Sequence, residues 1–131
     1  MLHFLRFLPP LLMFTLLVVQ AVAQKTLYLN DQWTFNQVGN SQKHPATVPG
    51  NVQYDMLNAG LIKDPFLGLN EHDIAWMEQE DWLYEKKFSI LPSDLKSEEI
   101  FLNLDGLDTY ADVYLNGKLL LHSDNMFVHW R

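Results

Sequence analysis

Residues 106–121, GLDTYADVYLNGKLLL, restrict the fold more than any other stretch of the chain. Apolar and polar side chains alternate with the period of two that a β-strand imposes. Asn116-Gly117 interrupts the alternation once, and both residues tolerate the positive φ of a type I′ turn, so the spacing predicts a two-residue β-hairpin. In that register Leu115 faces Lys118, Tyr114 faces Leu119, Val113 faces Leu120 and Asp112 faces Leu121. One face then collects Ala111, Val113, Leu115 and Leu120. The other collects Tyr110, Tyr114, Leu119 and Leu121, with Asp112 among them. A sheet wetted on one side shows a cleaner polar face than either of these. Both faces are therefore expected to be covered, one of them by protein outside so small a domain. Asp112 is then either paired across that cover or water-accessible at its edge, and because a buried, unpaired carboxylate is costly, a basic or hydroxyl partner is expected. Asp108 is read as a turn former ahead of its strand.

Other segments carry the same period. Thr26 to Leu29 and Trp33 to Gln37 read as short strands joined at Asn30-Asp31, with Ala46-Thr47-Val48 running into Pro49-Gly50. Trp82, Tyr84, Lys86, Phe88 and Ile90 share one side of a further strand. Ile100 to Leu104 and Met126 to Trp130 follow the pattern too. One segment differs: Asn51 can cap a short helix in which Val52, Met56 and Ala59 recur at helical spacing, with Gly60 placed for a left-handed stop. Many short strands and one short helix indicate a mainly-β chain, a β-sandwich or jelly roll.

Both ends shape the domain organisation. Arg6, the apolar run Leu11 to Val19 and Ala21-Val22-Ala23 make residues 1–23 read as a secretory signal peptide, because the apolar run is shorter than the ~20 residues a bilayer requires. Residues 24–131 form the mature domain, expected to be exported to a periplasm or the medium, or to a lysosome in a eukaryote. The chain stops within the strand pattern of Met126 to Trp130, so the domain is expected to be incomplete at its C-terminus. Without Arg6, eight Lys and Arg stand against sixteen Asp and Glu. Such a balance opposes nucleic acid and anionic membranes as partners, both of which select a basic face. There is no cysteine, so core packing or neighbouring domains must hold the fold.

Candidate chemistry concentrates in the irregular stretch Lys63 to Asp81, which contains Glu71, Asp73, Glu78, Glu80 and Asp81. Their spacing does not follow a calcium-binding loop. The carboxylates crowd one segment, whereas a glycosidase pair must flank a bond from opposite sides, so no catalytic pair is expected. His72, His122 and His129 lack metal-ligand spacing, and no metal is expected. Ile74 to Met77 reads as a single helical turn. Trp33 and Trp82 fit a core by pattern. Trp76, in the loop, is the better placed of the tryptophans for a ligand or an interface.

Three blocks carry a family resemblance: VPGNVQYDMLNAGLIKDPFLGLNE (residues 48–71), AWMEQEDWLYEKKF (75–88) and LDGLDTYADVYLNGKLLLHSDNMF (104–127). Together they resemble the N-terminal domain of the β-mannosidases of glycoside hydrolase family 2. The last block alone is shared more loosely with the β-galactosidases and β-glucuronidases of that family. The resemblance implies a galactose-binding-like jelly roll followed by an immunoglobulin-like domain and a catalytic (β/α)₈ barrel, both absent from this chain. It further implies hydrolysis of terminal β-D-mannosides with retention by two glutamates of the barrel, no cofactor, and β-mannoside oligosaccharides or glycoconjugates as ligands of the full-length enzyme. This chain alone is then inactive. By the same resemblance Asn70, Trp76 and Asp81 are candidates for the rim of the sugar pocket, and Asn70 alternatively only caps a turn. A stand-alone carbohydrate-binding module is the competing class.

Overall fold

The computed structural model describes residues 25–131, so the expected leader over residues 1–23 lies outside the described residues. Strand β1 is Trp33–Gln37, β2 is His44–Ala46 and β3 is Trp82–Glu85, hydrogen-bonded in the antiparallel order β2-β1-β3. Strands β4 (Ala111–Leu115) and β5 (Lys118–Ser123) form a separate antiparallel pair. A single bridge between Leu104 and Trp130 closes the remaining extended chain.

Helix α1 (Val52–Asn58) begins where its sequence says it should. The Asn51 side chain accepts the Tyr54 amide at 2.8 Å, satisfying one of the donors that a first turn leaves free. Gly60 follows at φ +69°, and Leu61 N donates back to the Met56 carbonyl at 2.9 Å. The stop is thus a left-handed residue that glycine adopts without a Cβ penalty.

The core lies on one side of the three-stranded sheet. Phe35 of β1, Met56 of α1 and Met77 are its buried apolar side chains, with Ala46, Val52, Ile62, Ile74, Trp82 and Tyr84 packed around them. The strand period explains the selection: Phe35 pairs with Tyr84 and His44, and Gln37 with Trp82, so these rings share a face. Phe35 lies 5.7 Å from the Tyr84 ring, 5.8 Å from His44 and 6.2 Å from Trp82.

Three expectations are corrected. Residues 70–79 contain more helix than one turn: α2 (Asn70–Ile74) runs directly into a 3-10 helix, Ala75–Gln79. Thr26 to Leu29 and Ile100 to Leu104 form no ladder, apart from the Leu104 bridge, and β3 ends at Glu85 instead of reaching Ile90. The hairpin, finally, carries a bulge. Leu115 and Tyr114 face Lys118 and Leu119 as expected, but Val113 faces Leu121, Asp112 faces His122 and Ala111 faces Ser123. Leu120 is the extra residue. Skipping it replaces an Asp112–Leu121 mismatch with an acid–base pair and sets Leu121 beside Val113, so both faces match better across the strands.

Candidate functional site

The irregular stretch folds back on itself before it presents anything. Asp64 Oδ1 accepts the Phe66 amide at 3.0 Å, and the Asp64 carbonyl accepts both Leu67 N at 3.2 Å and Asn70 Nδ2 at 2.8 Å. Asn70 therefore closes its own loop, as its turn-capping reading expected. A carboxamide has two N–H donors and an acceptor oxygen, so one bond to Asp64 leaves it further capacity.

Downstream, α2 and the 3-10 helix turn Asn70, Asp73 and Trp76 toward the chain that leaves α1. Leu61, Lys63, Asn70, Asp73, Ile74 and Trp76 line a shallow open depression of about 200 Å³. Trp76 is half exposed, with its ring 6.1 Å from Trp82 at 46°. Trp82 is itself held, donating its indole N–H to the Met77 carbonyl at 3.2 Å and packing on Phe35. An aromatic series thus runs from the core to the surface platform.

Asn70 and Trp76 are brought together, and Asp81 is not. Asp81 is exposed at the start of β3, where its carbonyl accepts Val38 N at 2.8 Å. Lys63 and Asp73 were missed as neighbours of the two. The available signal was the spacing of three from Asn70 to Asp73 to Trp76, which places side chains above one another in a 3-10 or mixed helix. Among the described residues no group of three His, Asp or Glu side chains could hold a metal. No described helix is long and apolar enough to cross a membrane.

The hairpin's acid–base pair is the second feature with chemistry. His122 Nδ1 and Asp112 Oδ1 lie 2.5 Å apart, both well exposed. Asp112 thus finds a basic partner on the adjacent strand of its own hairpin, and it stands exposed there rather than buried. The hydrogen bond to Asp112, then its charge, and more weakly the charge of Asp124, raise the His122 pKa above its ordinary 6.5. A raised folded value means that the pair's stabilisation is fully present below the unfolded pKa and is lost as pH climbs through the folded one. An NMR titration is expected to show His122 titrating above 6.5, and Asp112→Asn to return it toward that value. Identical titrations in the two proteins would dismiss the pair.

A family model described as glycosyl hydrolase 2 galactose-binding domain-like matches residues 33–131. Beta-mannosidase B of Emericella nidulans is 38% identical over 107 residues, which cover 79% of this chain and 13% of that protein. The beta-mannosidase of Bos taurus is 37% identical over 103 residues, covering 78% of this chain and 12% of its own. The crystal structure of a beta-D-mannosidase from Dictyoglomus thermophilum matches with a TM-score of 0.77 at 44% identity, over 79% of this chain and 13% of that one. The chain therefore spans only 11–13% of the length of such relatives. Family model, sequence relatives and shared jelly-roll architecture agree: the chain belongs to the glycosyl hydrolase 2 galactose-binding domain-like family, corresponding to the N-terminal domain of its beta-mannosidase homologues.

Proposed function

We propose that the chain is the non-catalytic head of an exported enzyme that removes terminal β-D-mannose from β-D-mannosides with retention. The relatives' activity supports the reaction, and the leader-like residues 1–23 support export. The structural observation that carries the reading as a head, in preference to a stand-alone module, is the distribution of apolar surface. Phe35, Met56 and Met77 are the buried apolar side chains among the described residues, while Tyr110, Tyr114, Leu119 and Phe127 stand exposed, Tyr110 at 81%. Solitary exposed apolar residues are ordinary, but two tyrosines and a leucine along one hairpin form a face that wants cover. Further domains of a longer polypeptide supply that cover and hold the two glutamates, which in retaining glycosidases lie ~5–5.5 Å apart. The Asn70–Trp76 ledge stands at the rim of that enzyme's sugar site.

Expression of the complete gene, leader included, tests both halves of the proposal. The exported product is expected to begin at Gln24 and to hydrolyse aryl β-D-mannoside, whereas residues 24–131 alone turn over nothing. A complete product that prefers β-galactoside or β-glucuronide would refute the assignment of the sugar.

A further inference from the structure

We infer that Asn116-Gly117, at the tip of the β4–β5 hairpin, is a self-modification site. The Gly117 nitrogen attacks the Asn116 carboxamide, and the asparagine becomes a mixture of aspartyl and isoaspartyl residues through a cyclic imide. The inference is independent of which sugar the enzyme cleaves.

Three observations carry it. The first is the nucleophile. Gly117 lies between β4 and β5, outside the ladder, which closes with Leu115 facing Lys118. Nothing stands within 4 Å of the place a Cβ would take on Gly117, so the space beside it is open.

The second is the electrophile. Asn36, Asn40, Asn51, Asn70 and Asn125 each engage their carboxamide in a hydrogen bond to nearby backbone. The exposed Asn116 carboxamide makes no such bond among the described residues.

The third is the hinge. Ring closure requires rotation about the Asn116 Cα–C bond, away from the tight turn set by φ values of +51° and +78°, so the tip must open first. Strands β4 and β5 form a two-stranded sheet, and the bulge at Leu120 interrupts its ladder close to the tip. Two-stranded ribbons are marginal, and exposed turns open at the low end of a protein's local stabilities.

The chemistry balances with water alone. Hydroxide takes the Gly117 amide proton, the N–Cγ bond forms, the Cγ–Nδ2 bond breaks, and ammonia leaves with a proton from water that restores the hydroxide. Water then opens the five-membered ring. Opening at Cγ returns the normal chain with an aspartyl side chain, which tolerates positive φ as asparagine does and keeps the turn. Opening at the main-chain carbonyl sends the backbone through Cβ and Cγ, one atom longer than before. That chain no longer fits a two-residue loop, so the Leu115–Lys118 register is lost and the face of Tyr110, Tyr114 and Leu119 loses its order.

The test ages the full-length protein in mildly alkaline buffer made with heavy-oxygen water. Peptide mapping then reads position 116, with fragmentation that tells aspartyl from isoaspartyl chains. Asn40 is the internal control: it is exposed and followed by the small Ser41, but its Oδ1 is held by Gln42 N at 3.0 Å. Position 116 is expected to lose its amide severalfold faster than position 40, in proportion to hydroxide, and to give both isomers carrying heavy oxygen. Gly117→Ala strains the turn yet crowds the nucleophile, and is expected to slow the loss. Fresh Asn116→Asp protein should keep its amide-exchange protection over β4 and β5, while the isoaspartyl fraction of aged protein loses it. An amide at 116 that lasts as long as that at 40, or a product that is aspartyl alone, overturns the inference. So does a loss that Gly117→Ala does not slow. Unchanged protection in the isoaspartyl fraction overturns the consequence for the tyrosine face.

Discussion

Phe35→Ala is expected to destabilise the domain by about 3–5 kcal/mol, the range for emptying a buried aromatic site. The ring is fully buried, and the three aromatic side chains within 5.7–6.2 Å of it come from β2 and β3. Met56 of α1 and Met77 complete the cluster. With so few buried apolar residues, no second cluster can take over when this one is hollowed. The loss also reaches the surface, because Trp82 rests on Phe35 and supports Trp76. Amide exchange in the full-length protein is the appropriate measurement, since a multidomain chain has no single unfolding free energy. Protection across β1, β3 and α1 should fall together in Phe35→Ala, and much less in Phe35→Leu, which keeps most of the volume. A change below about 1 kcal/mol in the alanine variant would show that this ring does not organise the core.

Features settled within a few residues were legible in the sequence. The span of β1, the Asn51 cap, the stop at Gly60 and the Asn116-Gly117 turn all lie where the pattern put them. In each case the deciding physics is local: a side chain that reaches a nearby amide, or a backbone angle that one residue type favours. Features that depend on a partner were not. A period of two tells which side chains share a face but not whether an edge stands ready to pair, so Lys86 to Ile90 and Ile100 to Leu104 alternate without forming a ladder, the Leu104 bridge apart. The bulge at Leu120 is invisible until Asp112 and His122 are set opposite each other. Of the three candidates for a pocket rim, Asn70 and Trp76 share a depression, while Asp81 is drawn into the start of β3. The helical run that joins the first two was hidden by Glu71, Asp73, Glu78 and Glu80, whose polarity reads as loop although their positions face solvent.

A further buried residue was missed altogether, and it carries the second large effect. Asp55 sits between apolar positions of α1, where a carboxylate would ordinarily face water, yet it is only 1% exposed. Its Oδ1 accepts Thr47 N at 2.9 Å and its Oδ2 accepts the Tyr84 hydroxyl at 2.8 Å. One side chain thereby ties α1 to the segment after β2 and to the middle of β3. Hydrogen bonds to a charged group contribute about 1.5–3 kcal/mol each, and their removal leaves partners unsatisfied, so Asp55→Ala is expected to cost about 3–5 kcal/mol. Asp55→Asn keeps an acceptor for one partner and should cost roughly half. Tyr84 supplies a readout that a mere cavity would not. Burial first, then the bond to Asp55 and its charge, hold the Tyr84 phenol well above its ordinary 10.0. Because the folded value is the raised one, this contribution is intact below about pH 10 and drains away as pH climbs further. In Asp55→Ala the burial persists while the acceptor is gone, so the phenol should descend part of the way. Following phenolate absorbance in the near ultraviolet, with Tyr84→Phe to identify the band, measures that descent. A Tyr84 that ionises at the same pH with and without Asp55 would mean that the carboxylate is buried for some reason other than this bond.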